Sequence, residues 1–107
     1  MVHLNNSNGI ACSNSNLGIY YTTSTGSTWT QSNINTNNFY AAVFSGGGNK
    51  GLAGSASNAG IYYTTNKGVN WTQSNIATGN FYSVVLNTSY GLAGSASNSG
   101  IYYSSST

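Results

Sequence analysis

An internal repeat of 40 to 42 residues runs through this chain of 107 residues. The segment Gly-Ile-Tyr-Tyr, followed by two hydroxyl residues, occupies residues 18–23, 60–65 and 100–105. A second segment, Trp-Thr-Gln-Ser-Asn-Ile, occupies residues 29–34 and 71–76. A fixed period of this length indicates a repeat architecture, in which each unit is covered by its neighbours. The chain therefore contains about 2.75 copies of one structural unit.

Each copy contains four short strand-prone runs, which we label A to D. In the middle copy these runs cover residues 39–45, 51–57, 60–65 and 69–75. They are rich in Ile, Tyr, Thr, Phe, Val and Trp and are bounded by clusters of Gly, Asn and Ser, whereas no segment has the apolar spacing of a helix. We therefore predict a four-stranded antiparallel meander in each copy, with the first A run truncated and the last D run missing.

The repeat length favours one all-β architecture. A single meander with apolar residues at adjacent positions cannot bury both faces, so the copies must cover one another. Units of about 40 to 50 residues with four strands are typical of β-propeller blades, whereas the coils of a β-solenoid, the alternative, are usually shorter. We predict a partial blade over residues 1–33, a blade over residues 39–75 and a partial blade over residues 81–105.

The turn between runs C and D carries a recurrent motif, with a hydroxyl residue, a glycine four positions later and a tryptophan three positions after that. It resembles the Asp-box, or BNR, repeat of sialidase-like and sortilin-like β-propellers, except that Ser24 and Asn66 stand where the family has aspartate. The resemblance implies a hairpin in which the glycine accepts a positive φ, the short polar side chain binds turn amides and the tryptophan packs beneath. The motif residues are Thr22, Gly26, Trp29, Thr64, Gly68 and Trp71.

The composition argues against enzymatic chemistry. The chain has no Asp, Glu or Arg, and two lysines are its only charged side chains. Paired carboxylates for acid–base catalysis and oxygen ligands for hard metals are therefore missing, as are the arginines and acids of the sialidase-like enzymes that the motif resembles. We expect His3 to be a solvent-exposed bystander and Cys12, which aligns with Gly54 and Gly94, to be a small buried side chain. We predict no catalytic residue, metal or cofactor.

The same composition restricts the partners. Two lysines cannot form the basic stripe of a nucleic-acid protein, and no apolar run approaches the 18 or so residues of a membrane span. The first residues lack the features of a secretory signal, and the sequons at Asn5, Asn70 and Asn87 are expected by chance in a chain so rich in Asn, Ser and Thr.

The predicted partner is the chain itself. Because propellers need about four to eight blades, we expect two copies to join head to tail into a closed six-bladed homodimer. The alternative is a longer polymer, in which the unpaired edge of the last strand pairs with a strand of a neighbouring copy.

We predict a non-enzymatic recognition module, with carbohydrate as the ligand class. Aromatic faces stack on sugar rings, amides bind hydroxyls, and repeated weak sites gain by multivalency. The competing interpretation of the repeated tyrosines is that Tyr20, Tyr62 and Tyr102 and their neighbours fill space between blades. The alternative function is a purely structural self-assembling subunit of a coat, fibre or filament, or an engineered propeller fragment. The candidate ligand-binding residues are Tyr21, Tyr63, Tyr103, Asn38 and Asn80.

Overall fold

The computed structural model describes residues 1–45, 48–87, 90–95 and 100–105, and within these ranges the only regular secondary structure is β-strand. The described residues form eleven strands in three antiparallel sheets, which follow one another in chain order and which we call blades 1, 2 and 3. The described residues include no helix long and apolar enough to cross a membrane.

The strands of each blade follow one another as a meander, so consecutive strands are hydrogen-bonded neighbours. The predicted four-stranded antiparallel meander is confirmed in blades 1 and 2, and the described part of blade 3 has three strands. Blade 1 contains β1 (Val2–Asn5), β2 (Asn8–Cys12), β3 (Ile19–Thr22) and β4 (Thr30–Gln31). Blade 2 contains β5 (Phe39–Phe44), β6 (Gly51–Ser55), β7 (Ile61–Thr64) and β8 (Thr72–Gln73). Blade 3 contains β9 (Phe81–Leu86), β10 (Gly91–Ser95) and β11 (Ile101–Ser104).

The fourth strand is much shorter than predicted. Residues 69–75 were expected to form run D, but β8 consists of Thr72 and Gln73 alone. The N–H groups of residues 69 and 70 donate to Asn66 within the hairpin, and the N–H of Trp71 donates to Asn33 of blade 1. These bonds replace ladder bonds, so the strand begins three residues later than predicted.

The core lies between the blades. One buried cluster joins Ile10 and Ile19 of blade 1 to Phe39, Phe44 and Trp71 of blade 2. We call this packing surface the first seam. Complete burial of an aromatic or large aliphatic side chain is worth about 1.5 to 3 kcal/mol, so each blade is stabilised mainly by its neighbour.

A second buried cluster forms the second seam. It joins Ala41 and Ile61 of blade 2 to Phe81, Val84 and Ala93 of blade 3. Phe39 and Phe81 occupy equivalent positions, and both are completely buried. The copies therefore cover one another, as the adjacent apolar residues of the sequence required.

Candidate ligand-binding site

The recurrent C–D turn is a tight hairpin in both described copies. Thr25 and Gly26 have φ angles of 58° and 90°, and Lys67 and Gly68 have 66° and 87°. Two successive residues with positive φ are the signature of a type I′ turn, whose twist matches that of the flanking strands. Glycine at the second position removes the steric cost of that conformation.

The polar residue two positions before the glycine binds the turn, as predicted. Asn66 Oδ1 accepts a hydrogen bond from the backbone N–H of Asn70 at 2.9 Å, and Ser24 Oγ accepts one from the N–H of Thr28 at 3.0 Å. The turn requires an oxygen acceptor and not a charge. The amide of Asn66 and the hydroxyl of Ser24 can therefore accept the hydrogen bond that the aspartate of the Asp-box repeat would accept.

The tryptophan of each hairpin is fixed by its own turn. The indole Nε1 of Trp29 donates to Gly26 O at 3.0 Å, and that of Trp71 donates to Gly68 O at 2.8 Å. Trp71 is 3% exposed, whereas Trp29 is 36% exposed. Trp71 therefore packs beneath its hairpin, whereas Trp29 stays partly exposed.

The three candidate tyrosines of the C strands have different surroundings. Tyr21 packs against the core of the first seam. Tyr63 and Tyr103 are exposed, and both line a cleft between blades 2 and 3. The repeat position therefore lies within a seam in blade 1 and on an open surface in the next two blades.

Two of the neighbouring tyrosines on the same strands, Tyr62 and Tyr102, pack at the seams. The rings of Tyr62 and Phe39 meet edge to face with centroids 5.4 Å apart, and those of Tyr102 and Phe81 do so at 5.5 Å. Tyr62 also belongs to the buried cluster of the first seam and Tyr102 packs against that of the second, so both fill space between blades. Tyr20, their counterpart in blade 1, is half-buried.

The two candidate asparagines hold the linkers between blades. Asn80 Oδ1 accepts a hydrogen bond from the N–H of Asn58 at 2.6 Å, and Asn58 Oδ1 accepts one from the N–H of Gly79 at 2.7 Å. Asn38 Oδ1 accepts the equivalent bond from the N–H of Asn16. Neither Asn38 nor Asn80 lines the cleft that contains Tyr63 and Tyr103. The five candidates do not form one site, and their role in ligand binding stays a prediction.

Tyr40 and Tyr82 lie on the first strands of blades 2 and 3 and were not among the predicted site residues. Phe39 and Ala41 pair with successive residues of β6, which leaves Tyr40 as the extra residue of a β-bulge, and Tyr82 is the extra residue of the equivalent bulge in β9. The ring centroids of Tyr40 and Tyr82 are 4.0 Å apart at an interplanar angle of 59°. Bulges re-aim side chains and are frequent beside functional sites.

The paired tyrosines also interact through their hydroxyl groups. A side-chain hydrogen bond with Tyr82 raises the pKa of the Tyr40 phenol. Tyr82 is exposed and Tyr40 is half-buried. The repeated Asn-Phe-Tyr at residues 38–40 and 80–82 was the available signal, but a bulge cannot be read from it. The pair offers aromatic faces and hydroxyl groups to a ligand.

His3 and Cys12 both have structural surroundings. The expectation of a solvent-exposed His3 is wrong, because the half-buried ring accepts a hydrogen bond at Nδ1 from the N–H of Phe44 at 3.0 Å and so joins blade 1 to blade 2. Cys12 is buried as predicted, and desolvation raises the pKa of its thiol. Among the described residues, no group of three or more potential metal ligands comes together.

Comparison with known proteins identifies the architecture. No family profile matches the sequence, and no curated protein matches it either. An ancestral GH74 enzyme superposes on 99% of this chain with a TM-score of 0.79 and 17% sequence identity. The GH74 enzyme of Niastella koreensis superposes on 97% of it with a TM-score of 0.66 and 21% identity.

These similarities concern the fold. The GH74 enzymes are β-propellers, so the three sheets are propeller blades and the predicted all-β class is confirmed. The chain spans 16% of the length of each of these two enzymes.

Proposed function

We propose that this chain is a non-enzymatic β-propeller module that binds carbohydrate through the Tyr40–Tyr82 pair. The observation that supports the proposal is the placement of two adjacent tyrosines on equivalent bulges of neighbouring blades. Aromatic rings of this kind supply a large contact area at a low cost in conformational entropy, and their hydroxyl groups add hydrogen bonds. A neutral, hydroxyl-rich ligand suits a surface almost without charge.

An amide lies close in sequence to each member of the pair. Phe39 points into the first seam, so Asn38 and Tyr40 flank a buried residue on the rim of the blade. Asn38 uses its carbonyl oxygen for Asn16, and its Nδ2 donates to no other described residue. That amide can therefore donate to a sugar hydroxyl beside the aromatic pair.

The proposal of a non-enzymatic role depends on which side chains remain for catalysis. The 107 residues include no side-chain carboxylate and no guanidinium. His3 donates no catalytic group to solvent because its ring binds Phe44, and Cys12 is buried at the first seam. The oxygen-accepting turns further support assigning the hairpins to the Asp-box type, with Ser24 and Asn66 in the place of the aspartate.

A glycan array followed by calorimetry tests the proposal. Binding of a neutral oligosaccharide should fall at least about tenfold in Tyr82→Ala, since one stacked aromatic ring is removed. Tyr90→Ala is the matched control, because Tyr90 is an exposed tyrosine outside the pair. An array without hits, or equal losses in both variants, would count against carbohydrate recognition.

A second candidate function, a self-assembling structural subunit, is favoured by the two end faces of the chain. The equivalent residues Ile19, Ile61 and Ile101 are 0%, 8% and 80% exposed. The first two are covered by the following blade, and the third lies on the outer face of blade 3. At the other end, Trp29 lacks the cover that blade 1 gives to Trp71.

The two end faces correspond to the two sides of a seam. We propose that blade 1 of a second copy packs on blade 3 with Trp29 over Leu92 and Tyr103, as Trp71 packs beside Ile10 and Tyr21 in the first seam. Two such head-to-tail contacts would close six blades into a homodimer, and a rotation that does not close would give a polymer. Negative-stain microscopy should show uniform six-lobed rings; filaments would favour the polymer, and single arcs would count against assembly.

A further inference from the structure

Tyr40 and Tyr82 bring two phenol rings together between blades 2 and 3. Their ring centroids are 4.0 Å apart at an interplanar angle of 59°, which is close enough for the ring edges to touch. No other two tyrosines among the described residues make a ring contact with each other. The contact is made by residues inside the chain and involves neither of the two end faces.

The backbone holds both rings in place. Each tyrosine is the extra residue of a β-bulge, and it follows an almost completely buried phenylalanine, Phe39 in β5 and Phe81 in β9. Ala41, on the other side of the first bulge, is buried in the second seam together with Phe81. The rings therefore stay close to each other for as long as the two blades stay packed.

The hydroxyl groups determine which ring carbons lie near each other. A side-chain hydrogen bond between the two phenols raises the pKa of Tyr40, so the two oxygen atoms are within hydrogen-bond reach. In each ring, the ortho carbons are bonded to the carbon that carries the hydroxyl group. The hydrogen bond therefore brings an ortho carbon of each ring close to the other ring, and ortho carbons are the atoms at which phenoxyl radicals couple.

An oxidant can reach the pair from solvent. Tyr82 is 52% exposed, and Tyr40 is half-buried behind it. The thiol of Cys12, which could consume the oxidant, is buried in the first seam, and desolvation raises its pKa. Because the thiolate is the reactive form, the thiol competes poorly with the exposed phenol.

We propose that Tyr40 and Tyr82 are a site of oxidative modification, at which a carbon–carbon bond between the rings forms a dityrosine that fastens blade 2 to blade 3. The co-reactant is a one-electron oxidant of the haem peroxidase class, with hydrogen peroxide as the final electron acceptor. Each phenol loses one electron and its hydroxyl proton, and the two phenoxyl radicals join through their ortho carbons. The protons on these carbons then move to the oxygens, which restores both phenols. The pair thus loses two hydrogen atoms, and one hydrogen peroxide becomes two waters.

The new bond closes a loop between residues 40 and 82. A covalent link of this kind restricts the unfolded chain more than the folded one, as a disulfide does, so it stabilises the fold. The inference goes beyond carbohydrate binding and does not rest on it, because coupling needs only the proximity of the two rings. No sugar enters the experiment, so the two proposals can fail separately.

Treatment of the whole chain with a haem peroxidase and hydrogen peroxide tests the inference. An equal mixture of ¹⁴N-labelled and ¹⁵N-labelled chains distinguishes a bond within one chain from a bond between two. We expect dityrosine fluorescence and a chain that is lighter by two hydrogen atoms. Trypsin cuts only after the two lysines, so the bond should join residues 1–50 to residues 68–107 of the same isotope. Fragmentation of this product should place the bond at Tyr40 and Tyr82.

Two variants and a thermal measurement complete the test. Tyr82→Phe keeps the ring but has no phenol, so it should not form the link. Tyr90→Phe, which changes an exposed tyrosine outside the pair, should form it like the unchanged chain. The purified linked chain should have a Tm at least about 5 °C higher than the unlinked chain.

Four results would overturn the inference. The first two are the absence of dityrosine within single chains and an equal yield in Tyr82→Phe. The third is a bond that maps to other tyrosines or joins chains of different isotope. An unchanged Tm in the linked chain is the fourth, because the bond would then not fasten the two blades.

Discussion

Trp29 and Trp71 belong to hairpins of the same type and make the same indole hydrogen bond. Trp29 is nevertheless partly exposed to solvent, whereas Trp71 is buried. The difference arises outside the hairpin. Trp71 lies against blade 1 and is clamped by Asn33, whereas no described blade precedes Trp29. The local motif thus sets the conformation of the turn, and the neighbouring blade supplies the burial and most of the stability.

The largest expected effect concerns these two tryptophans. Trp71→Ala should lower the free energy of unfolding by about 4 kcal/mol, because it leaves a cavity in the first seam. Trp29→Ala should lower it by about 1 kcal/mol in the monomer, because much of that ring is solvated. Urea unfolding of both variants at low protein concentration measures the difference. Equal losses would show that the hairpin, and not the seam, carries the stability.

The repeated isoleucine sharpens the same comparison. Ile19→Ala should cost about 3 kcal/mol, since Ile19 is completely buried by blade 2. In the monomer, at low protein concentration, Ile101→Ala should change the free energy of unfolding by no more than about 0.5 kcal/mol, because most of its side chain is exposed. Thermal unfolding of the two variants provides the measurement. A large loss in the Ile101 variant would mean that blade 3 is already covered in solution.

A smaller difference in stability is expected between variants of Asn33, which binds the Trp71 backbone, and of its counterpart Asn75. Asn33→Ala removes both hydrogen bonds to the Trp71 backbone and should cost about 2 kcal/mol. Asn75→Ala, one repeat later, should be neutral to within about 0.5 kcal/mol, because the exposed Asn75 side chain bonds no described residue. Denaturant midpoints at equal m-values test this pair of variants. Similar losses at both sites would show that the stability does not come from the two hydrogen bonds between Asn33 and Trp71.

The smallest effect is a change in reactivity at the first seam. Burial raises the pKa of the Cys12 thiol, so less thiolate is present at a given pH in the folded chain than in the unfolded one. Reaction with a disulfide reagent at pH 8 should be at least about tenfold slower in buffer than in concentrated urea. The pH at which the native rate rises should also be shifted upwards. Equal rates would show that the first seam opens readily.

The fold was largely predictable from the sequence because the repeat carries redundant information. Two hairpins of the same pattern and three Gly-Ile-Tyr-Tyr segments fix the strand order, and the alignment of Cys12 with Gly54 and Gly94 indicated its burial. The composition also shows that the sequence has no Asp or Glu, the side chains on which most acid–base and hard-metal chemistry depends. These inferences need only local pattern and residue inventory.

The candidate site was harder to predict, since its geometry arises between repeats. A β-bulge in two strands places Tyr40 against Tyr82, and a period-2 pattern does not reveal the extra residue. Asn38 and Asn80 look like surface amides in sequence, yet their oxygens hold interblade linkers. His3 was misjudged for the same reason, because its partner, Phe44, lies 41 residues away in the next blade.

Sedimentation equilibrium across the micromolar range tests most directly whether the two end faces are complementary sides of one seam. We expect the unchanged chain to have twice the mass of the 11.1 kDa monomer, and Ile101→Lys and Trp29→Ala to return it to the monomer. A stable 11.1 kDa species at every concentration, unaffected by either substitution, would contradict the account.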